Sequence, residues 1–187
     1  MKIRLYRLFK LIITAFGTAI IILIFIASLA RTSGRSMQPT YWNGDLVLVS
    51  KISHTFNWVP AYGDVVAIDS RTYRSRSIAD DFTEIIKIII ANIKGDEPPK
   101  KIWLKRVIGL PGDTIEFPDG SHVYRNGEPL EEPYIFEPMQ YQNKHIYTVP
   151  ENAVFVLGDN RNHSTDSRYI GCVPVDHVVG IIIGKIW

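Results

Sequence analysis

The segment Ile102–Asp113, IWLKRVIGLPGD, sets the fold class of this chain. Its apolar and β-branched residues predict a strand over Ile102–Ile108, and Pro111-Gly112-Asp113 is typical of the turn that ends one. The same pattern of short strands between Gly, Pro, Asn and Asp residues recurs at Asp45–Ser50, Asp64–Ile68, Thr114–Phe117, His122–Tyr124, Ala153–Leu157 and His177–Ile183. Asn126-Gly127 indicates a two-residue hairpin turn. We therefore predict an all-β barrel or sandwich.

One stretch departs from this pattern. Asp80–Gly95, DDFTEIIKIIIANIKG, repeats its apolar residues at helical spacing, with Asp80 or Asp81 suited to cap the start and Gly95 the end. Isoleucine also favours strands, so a buried strand is the alternative. The periodicity favours a short helix around residues 81–94.

An uncharged run, Leu11–Ala30, precedes the predicted strands. Twenty helical residues span about 30 Å, the thickness of the hydrocarbon core of a bilayer. The residues before the run include Lys2, Arg4, Arg7 and Lys10 and no acidic residue, which indicates that this end stays cytoplasmic. We predict a cytoplasmic N-terminus over residues 1–10, a transmembrane anchor over 11–30 and an extracytoplasmic domain over 31–187.

The uncharged run has two other interpretations. A buried core helix would show a polar face, but only Thr14, Thr18 and Ser28 interrupt the run. A cleavable signal peptide is suggested by the small residues Ser28 and Ala30, yet its apolar core is typically about 7–15 residues long. The length favours an anchor that is retained.

Composition excludes several classes of protein. Hydrophobic residues make up 46% of the 187 residues, so the chain is not disordered. The net charge of +2 argues against a nucleic-acid-binding surface. The single cysteine, Cys172, excludes an internal disulfide and a Cys-rich zinc site, and no paired metal-ligand spacing occurs. We expect no cofactor and no metal, and nothing in the sequence indicates an oligomeric state.

Three polar stretches carry residues suited to chemistry. Gly34–Thr40 is a turn around Ser36, Lys105 interrupts an apolar strand, and Gly158–Arg168 is rich in charged side chains. Each is most simply a solvated loop or an exposed strand residue. If Lys105 points inward, however, burial lowers its pKa, and a neutral lysine can take a proton from a serine. A Ser36–His163 pair supported by Asp159 or Asp166 is the alternative.

Together and in this order, these stretches resemble the bacterial type I signal peptidases, which are membrane-anchored serine proteases with a Ser-Lys pair. The matching segments are Ser36–Thr40, Gly44–Val49, Lys105–Asp113 (KRVIGLPGD), Asn126-Gly127 with Tyr134, Gly158–Arg161 with Ser164 and Asp166–Arg168, and Gly171 with Val173-Pro174 and Val179-Gly180. The resemblance covers residues 31–187 except about 69–101, which we interpret as a variable insertion.

The resemblance implies a fold of coiled antiparallel sheets and a role for each matching residue. Ser36 is the expected nucleophile and Lys105 the expected general base. Ser164 is expected to hydrogen-bond the Lys105 amine, and Asp166 and Arg168 to pair with each other near Asp159. The expected substrates are exported preproteins, cut after small residues in an Ala-x-Ala pattern at the outer face of the bacterial plasma membrane. Shallow substrate pockets are expected from Met37, Leu104 and Trp103.

Two departures from the family pattern matter. At the position of Gly34, many members carry a serine whose hydroxyl helps to stabilise the oxyanion. The sequence therefore does not identify the second oxyanion donor here. The spacer between the anchor and Ser36 is also short. We expect the helix to end nearer residue 26 and Ile26–Ser33 to form a strand edge that pairs with the substrate.

Three other functions compete with this interpretation. A dedicated conjugation-type or pilin-processing peptidase of the same superfamily fits the same motifs. Self-cleaving repressors use a similar Ser-Lys pair but are cytoplasmic and carry a DNA-binding module. The third is an inactive membrane-anchored binding protein. The presence of Ser36, Lys105 and Ser164 argues against it.

Overall fold

A computed structural model of the chain describes residues 2–77, 79–80, 82–83, 86–87, 90, 94 and 102–187. A long N-terminal helix, α1 (Lys2–Phe25), leads into a body made mainly of strands. The strands are β1 (Ala27–Arg31), β2 (Leu46–Ser50), β3 (Val65–Asp69), β4 (Ile102–Gly109), β5 (Thr114–Phe117), β6 (Tyr124–Arg125), β7 (Glu128–Pro129), β8 (Asn143–Thr148), β9 (Ala153–Leu157), β10 (Val173–Pro174) and β11 (Val178–Lys185). Short helices are α2 (Ile52–Thr55) and α3 (Ser167–Ile170), with 3₁₀ turns at Arg161–His163 and Val175–His177.

The strands form two sheets in which every paired neighbour is antiparallel. The larger sheet has the order β1-β2-β11-β3-β4-β9-β10, and the smaller has the order β7-β6-β5-β8. The prediction of a mostly β, antiparallel fold is therefore confirmed. The hairpin at Asn126-Gly127 is also observed, since β6 and β7 flank these two residues, whose φ angles are 55° and 82°.

Sequence and structure differ at three of the strands. The segment predicted at His122–Tyr124 begins only at Tyr124, because the Asp119 carboxylate accepts hydrogen bonds from the backbone N–H groups of Ser121 and His122 and keeps them in a turn. His177 lies in a 3₁₀ turn rather than in a strand. Strand β8 was not predicted, because its sequence, NKHIYT, is polar and mostly exposed.

The uncharged N-terminal run is part helix and part strand. Helix α1 ends at Phe25, and β1 begins at Ala27 and pairs with β2 from Ala27↔Ser50 to Arg31↔Leu46. Within the residues that the structure describes, no helix is both long enough and apolar enough to cross a bilayer.

The predicted helix around residues 81–94 lies only partly within the described residues. The backbone is helical at Ala79, Asp80, Phe82, Thr83, Ile86, Lys87, Ile90 and Lys94, and the remaining positions lie outside the description. The insertion leaves the large sheet after Asp69 and returns at Ile102, which pair with each other across β3 and β4.

Strand β4 joins the apolar clusters of the body. Val107 belongs to a cluster with Val66, Ile68 and Val156, whereas the adjacent Ile108 packs with Ile115, Phe117 and Phe155 under the smaller sheet. Leu104 packs against a third cluster, which contains Met37, Val47 and Val49. Because β4 contacts all three clusters, its backbone is fixed from both faces, and so is the lysine it carries.

A close approach of the Ser50 carbonyl group to β11 predicts a stability difference between two glycines of this strand. A Cβ at Gly180 would lie 2.6 Å from the Ser50 carbonyl oxygen, whereas a Cβ at Gly184 meets no atom of the described residues within 4 Å. We expect Gly180→Ala to lower the free energy of unfolding by about 1–3 kcal/mol through overpacking. Gly184→Ala is the matched control and should change it little. Chemical denaturation followed by circular dichroism measures both, and equal stabilities would contradict the proposed close approach.

Candidate active site

Ser36 lies on a turn that is held from two sides. Gly34 has a φ of 88°, a conformation that glycine adopts without strain, and its backbone N–H donates to the Asn43 side-chain oxygen at 2.9 Å. On the other side, the Asn160 backbone N–H donates to the Ser36 carbonyl oxygen at 3.0 Å. The Ser36 backbone N–H itself bonds to no acceptor among the described residues. The turn thus presents a half-buried hydroxyl beside an available N–H donor.

Lys105 reaches this hydroxyl from the middle of β4. Its amine donates to Ser36 Oγ at 3.1 Å and to the carbonyl oxygen of Leu104 at 3.0 Å. Only 3% of the lysine is exposed. The structure therefore brings together the expected nucleophile and the expected general base, although they lie 69 positions apart in the sequence.

The surroundings of Lys105 favour its neutral form. Burial lowers the pKa of Lys105 from 10.5 to about 8. The Asp166 and Asp159 carboxylates oppose this lowering, and the Arg168 guanidinium adds to it. The Trp103 ring, centred 5.5 Å from the amine, is part of the apolar wall. Roughly a tenth of the lysine is consequently unprotonated at pH 7 and about half at pH 8, and it is this neutral form that acts as a general base.

Gly158 lies very close to both Ser36 and Ser164. A Cβ at this position would lie 2.2 Å from Ser164 Oγ and 2.6 Å from the Ser36 carbonyl oxygen. Ser164 Oγ is buried and has no hydrogen-bond partner among the described residues, so the expected bond from Ser164 to the Lys105 amine is not formed. The Lys105 amine is instead directed to the Leu104 carbonyl oxygen.

The predicted pairing of Asp166 with Arg168 is present and buried. Arg168 Nε and Nη2 donate to the two Asp166 carboxylate oxygens at 2.8 and 2.9 Å, and Nη2 also donates to the Arg161 carbonyl oxygen. Asp166 further accepts from the Gly158 backbone N–H at 3.0 Å. The pair thereby ties the glycine beside Ser36 to the start of α3.

The other two charged residues of this loop pair outside it. The resemblance placed Asp159 near the Asp166–Arg168 pair and gave Arg161 no partner. In the structure Asp159 bonds to Arg106 of β4, and Arg161 bonds to Glu132. The sequence assigned no role to Arg106 or to Glu132. Arg106 follows Lys105 within a matching motif, and this position could have indicated a role at the site. No feature of the sequence around Glu132 indicated one.

His163 does not form the alternative triad. Its side chain is exposed and its ring bonds to no group in the described part of the chain. Asp166 is already engaged by Gly158 and Arg168. The geometry thus favours Lys105 over His163 as the group that acts on Ser36.

The three residues expected to line substrate pockets lie in two places. Met37 is buried in the same cluster that Leu104 packs against, close to Ala30 of β1. Trp103 packs against a different cluster, because successive side chains of a strand point to opposite faces. The structure therefore groups Met37 with Leu104 and separates both from Trp103.

Comparison with known proteins matches these features to one family. A family model described as signal peptidase, peptidase S26, matches residues 5–187. The chain belongs to this family. It is 35% identical over 170 residues to a probable signal peptidase I-1 of Synechocystis sp., covering 91% of this chain and 76% of the relative. It is also 36% identical over 163 residues to signal peptidase I of Leptolyngbya laminosa, covering 87% and 70%.

A solved structure of a family member was also found. The crystal structure of a signal peptidase I from Enterococcus faecalis is 29% identical, with a TM-score of 0.43, and the match covers 66% of this chain and 96% of that one. Family membership rests on the sequence matches. It makes this chain a serine endopeptidase of the signal peptidase I type.

The tight contact at Gly158 gives a prediction about activity. Gly158→Ala should displace the Ser36 carbonyl group or Ser164, and a misplacement of about 1 Å can cost roughly 10²-fold in rate. Cleavage of a fluorogenic signal-peptide substrate measures the loss, with Gly184→Ala as the control in open space.

A double variant separates the two contacts of Gly158. Adding Ser164→Gly to Gly158→Ala removes the clash with the serine side chain but leaves the 2.6 Å approach to the Ser36 carbonyl oxygen. Activity should stay well below that of the single variant Ser164→Gly, which measures the loss of the hydroxyl alone. Recovery to the level of Ser164→Gly would contradict the role given to the contact between residue 158 and the Ser36 backbone.

Proposed function

We propose that Ser36 is the nucleophile and Lys105 the general base of a signal peptidase that removes signal peptides from exported preproteins. One observation carries the assignment: the buried Lys105 amine lies 3.1 Å from Ser36 Oγ and burial lowers its pKa to about 8. A serine hydroxyl needs an adjacent base to become a useful nucleophile at neutral pH, and a neutral lysine supplies one.

The proposed reaction has two halves. The neutral Lys105 amine takes the Ser36 proton as Oγ attacks the scissile carbonyl carbon, which gives a tetrahedral oxyanion and an ammonium. The ammonium returns that proton to the leaving amine as the C–N bond breaks, which leaves an acyl-enzyme ester on Ser36. A water molecule then gives a proton to Lys105 as its oxygen attacks the ester carbon. The Lys105 ammonium returns this proton to Ser36 Oγ as the C–Oγ bond breaks, so that the signal peptide leaves as a carboxylic acid and both Ser36 and neutral Lys105 are restored.

The oxyanion requires donors near Ser36. The Ser36 backbone N–H is the first candidate, because it bonds to no other described residue. The Gly34 backbone N–H is already engaged by Asn43, which counts against its use as the second donor while that bond holds. Asn43 is then a positioning residue for the turn.

Ser164 and the charged loop would act on Lys105 indirectly. Ser164 Oγ is buried without a partner next to Gly158, which suits a hydroxyl that bonds the amine once it has taken up the proton. The Asp166–Arg168 pair would hold that serine in place through the backbone of residues 158–168. Asp159 would fix the loop to β4 through Arg106, and Gly34 would shape the turn.

Substrates would bind as an extended strand along β1. Within the described residues β1 pairs only with β2, so its other edge has free backbone groups. The first and third residues before the cut bond then face the same way. Ala30, Met37 and Leu104 share one apolar cluster near Ser36, which favours small side chains in shallow pockets. Trp103 would contribute to the wall around the lysine rather than to these pockets.

We also propose that α1 anchors the enzyme in the plasma membrane with residues 1–10 cytoplasmic and the body outside. Apolar side chains of α1 are exposed along its length, including Phe9, Ile12, Ile13, Phe16 and Ile21. Such a surface is unfavourable in water and suits a lipid environment. The basic residues Arg4, Arg7 and Lys10 lie near its start, as the positive-inside rule expects of the cytoplasmic end.

Substitution of the two reacting residues tests the assignment. Ser36→Ala removes the nucleophile and Lys105→Ala removes the base, and each should lower the cleavage rate of a synthetic preprotein by roughly 10⁴-fold. Lys105→Arg should fail as well, since a guanidinium does not deprotonate in proteins. Lys144→Ala, at an exposed lysine of β8, is the matched control. Near-normal turnover by Lys105→Ala would show that another group is the base.

The pH dependence of kcat/KM tests the state of the base. Activity should rise with pH through a limb centred at about 8, the lowered pKa of Lys105, because only the neutral amine accepts a proton. Since burial is the main cause, Trp103→Ala should open the site to water and move the limb upward toward 10.5. The pH profile of kcat/KM for the parent and for Trp103→Ala, recorded on one soluble peptide, measures this shift. A limb at the same pH in both would argue against burial by Trp103 as a cause.

A further inference from the structure

The connection between β7 and β8 lies along the loop that precedes Ser164. Residues 132–140, here termed the strap, belong to this connection. The Asn162 side chain donates to the Pro138 carbonyl oxygen at 3.0 Å and accepts from the Gln140 backbone N–H at 2.8 Å. The strap comes from the smaller sheet, whereas the proposed base is carried by the larger one. The smaller sheet therefore reaches the active-site loop.

Glu132 makes the strap's charged contact with this loop. Its carboxylate oxygens accept from Nη1 and Nη2 of Arg161, both at 2.6 Å, and the two side chains are buried. Nε of the same guanidinium donates to the Gly158 carbonyl oxygen at 3.0 Å. Because a guanidinium is planar and rigid, Glu132 fixes the Gly158 carbonyl group through it. Gly158 is the glycine that closely approaches Ser36 and Ser164.

Tyr134 joins this ion pair to a second one. It matches the family pattern, but the resemblance assigns no role to it. Its hydroxyl donates to Glu132 Oε1 at 2.9 Å, and its ring lies 4.0 Å from the guanidinium carbon of Arg106. Arg106 in turn donates to both carboxylate oxygens of Asp159, at 2.8 and 2.6 Å. Tyr134 thus orients one carboxylate and covers the arginine that holds the other.

We propose that Glu132 and Tyr134 are positioning residues that hold residues 158–164 against the turn of Ser36. This inference rests on the proposed role of Ser36 as the nucleophile. The loop contacts that turn directly, since the Asn160 backbone N–H donates to the Ser36 carbonyl oxygen at 3.0 Å. A displaced loop would therefore move the backbone that carries the nucleophile.

The strap should affect the chemical step more than substrate binding. Lys105 lies 3.1 Å from Ser36 Oγ, and a misplacement of about 1 Å between reacting groups can cost roughly 10²-fold in rate. The apolar cluster proposed to form the substrate pockets, with Ala30, Met37 and Leu104, includes no strap residue among those that the structure describes. Loss of the strap contacts should consequently lower kcat and leave KM little changed.

A pair of neighbouring glutamates tests the role of the carboxylate. Glu132→Gln replaces one accepting oxygen by an NH₂ group, so the side chain no longer accepts from both Arg161 nitrogens. For the full-length enzyme in detergent, with a fluorogenic signal-peptide substrate, kcat should fall roughly 10- to 100-fold with KM little changed. Glu131→Gln, the same substitution at the exposed neighbour, should change neither. Parent kinetics in Glu132→Gln would overturn the role of Glu132.

An apolar replacement separates positioning from folding. Removing one partner leaves a buried charge unpaired, whereas replacing a whole buried ion pair by packed apolar side chains is often neutral or stabilising. The triple variant Glu132→Leu/Tyr134→Phe/Arg161→Met removes both charges and the hydroxyl that bonds one of them. Its midpoint of chemical denaturation should match or exceed that of the parent. Its kcat should stay low, because no guanidinium reaches the Gly158 carbonyl oxygen.

Two outcomes of the triple variant would overturn the proposal. Recovery of kcat together with stability would show that the ion pair serves only the fold. Loss of the folded state in this variant, seen by circular dichroism, would show the same, because the fold itself would then need the charged pair.

Two substitutions of Tyr134 separate its ring from its hydroxyl. Tyr134→Phe keeps the ring on Arg106 and should lower kcat several-fold, since only the bond to Glu132 is lost. Tyr134→Leu removes the ring as well and should lower kcat further. Tyr73→Phe and Tyr73→Leu, at a tyrosine that is 83% exposed, are the matched controls. Parent kinetics in Tyr134→Leu would overturn the role of Tyr134.

The same assay distinguishes this inference from the proposed catalytic pair. Near-normal turnover by Ser36→Ala or Lys105→Ala would overturn the pair, and the positioning role would fail with it. Loss of cleavage in those two variants, with parent kinetics in the Glu132 and Tyr134 variants, would leave the pair intact and overturn the positioning role alone.

Discussion

The active site depends on one constraint, which is that a lysine must be buried in order to act as a base. The pKa of Lys105 falls to about 8 because the amine lies inside the body, and the same burial brings it within 3.1 Å of the Ser36 hydroxyl. Burial of an amine opposes folding, so the surrounding structure must compensate. Strand β4 does so because its neighbouring residues pack into three apolar clusters. The lysine is therefore carried by one of the most firmly packed backbones of the chain.

The charged residues around the site act mainly on geometry. Asp166 with Arg168, Asp159 with Arg106, and Arg161 with Glu132 are ion pairs with little or no exposed surface. Buried pairs of this kind contribute little net stability compared with apolar packing, but breaking one by removing a partner costs about 3–5 kcal/mol. Their effect here is to fix residues 158–168 against β4 and against the carbonyl group of Ser36. Gly158 can then approach both serines at distances that no side chain would permit.

The large sheet connects the proposed membrane surface to the chemistry. Strand β1 follows directly on α1, pairs on one edge only within the part of the chain that the structure describes, and leads into the turn that bears Ser36. A preprotein held in the same membrane would meet that edge as it emerges from the bilayer. The connection after β2 and the insertion after β3 leave the sheet at the end where α1 ends, so one sheet links the proposed anchor, the proposed substrate edge and Lys105.

Sequence patterns alone predicted the alternating strand Thr114–Phe117 and the continuously apolar strand Ala153–Leu157, both bounded by turn residues. Motifs typical of one family predicted the pairing of Ser36 with Lys105. Local patterns suffice there because hydrophobic spacing and turn residues act over a few positions. Strand β8 escaped prediction because its polar residues form a strand only when β5 supplies the partner. The partners of Asp159 and Arg161 lie 53 and 29 positions away, and the Ser164 hydroxyl was expected on an amine that bonds elsewhere. These contacts depend on the folded chain, because a buried charge pairs with whichever opposite charge the backbone brings within hydrogen-bond distance.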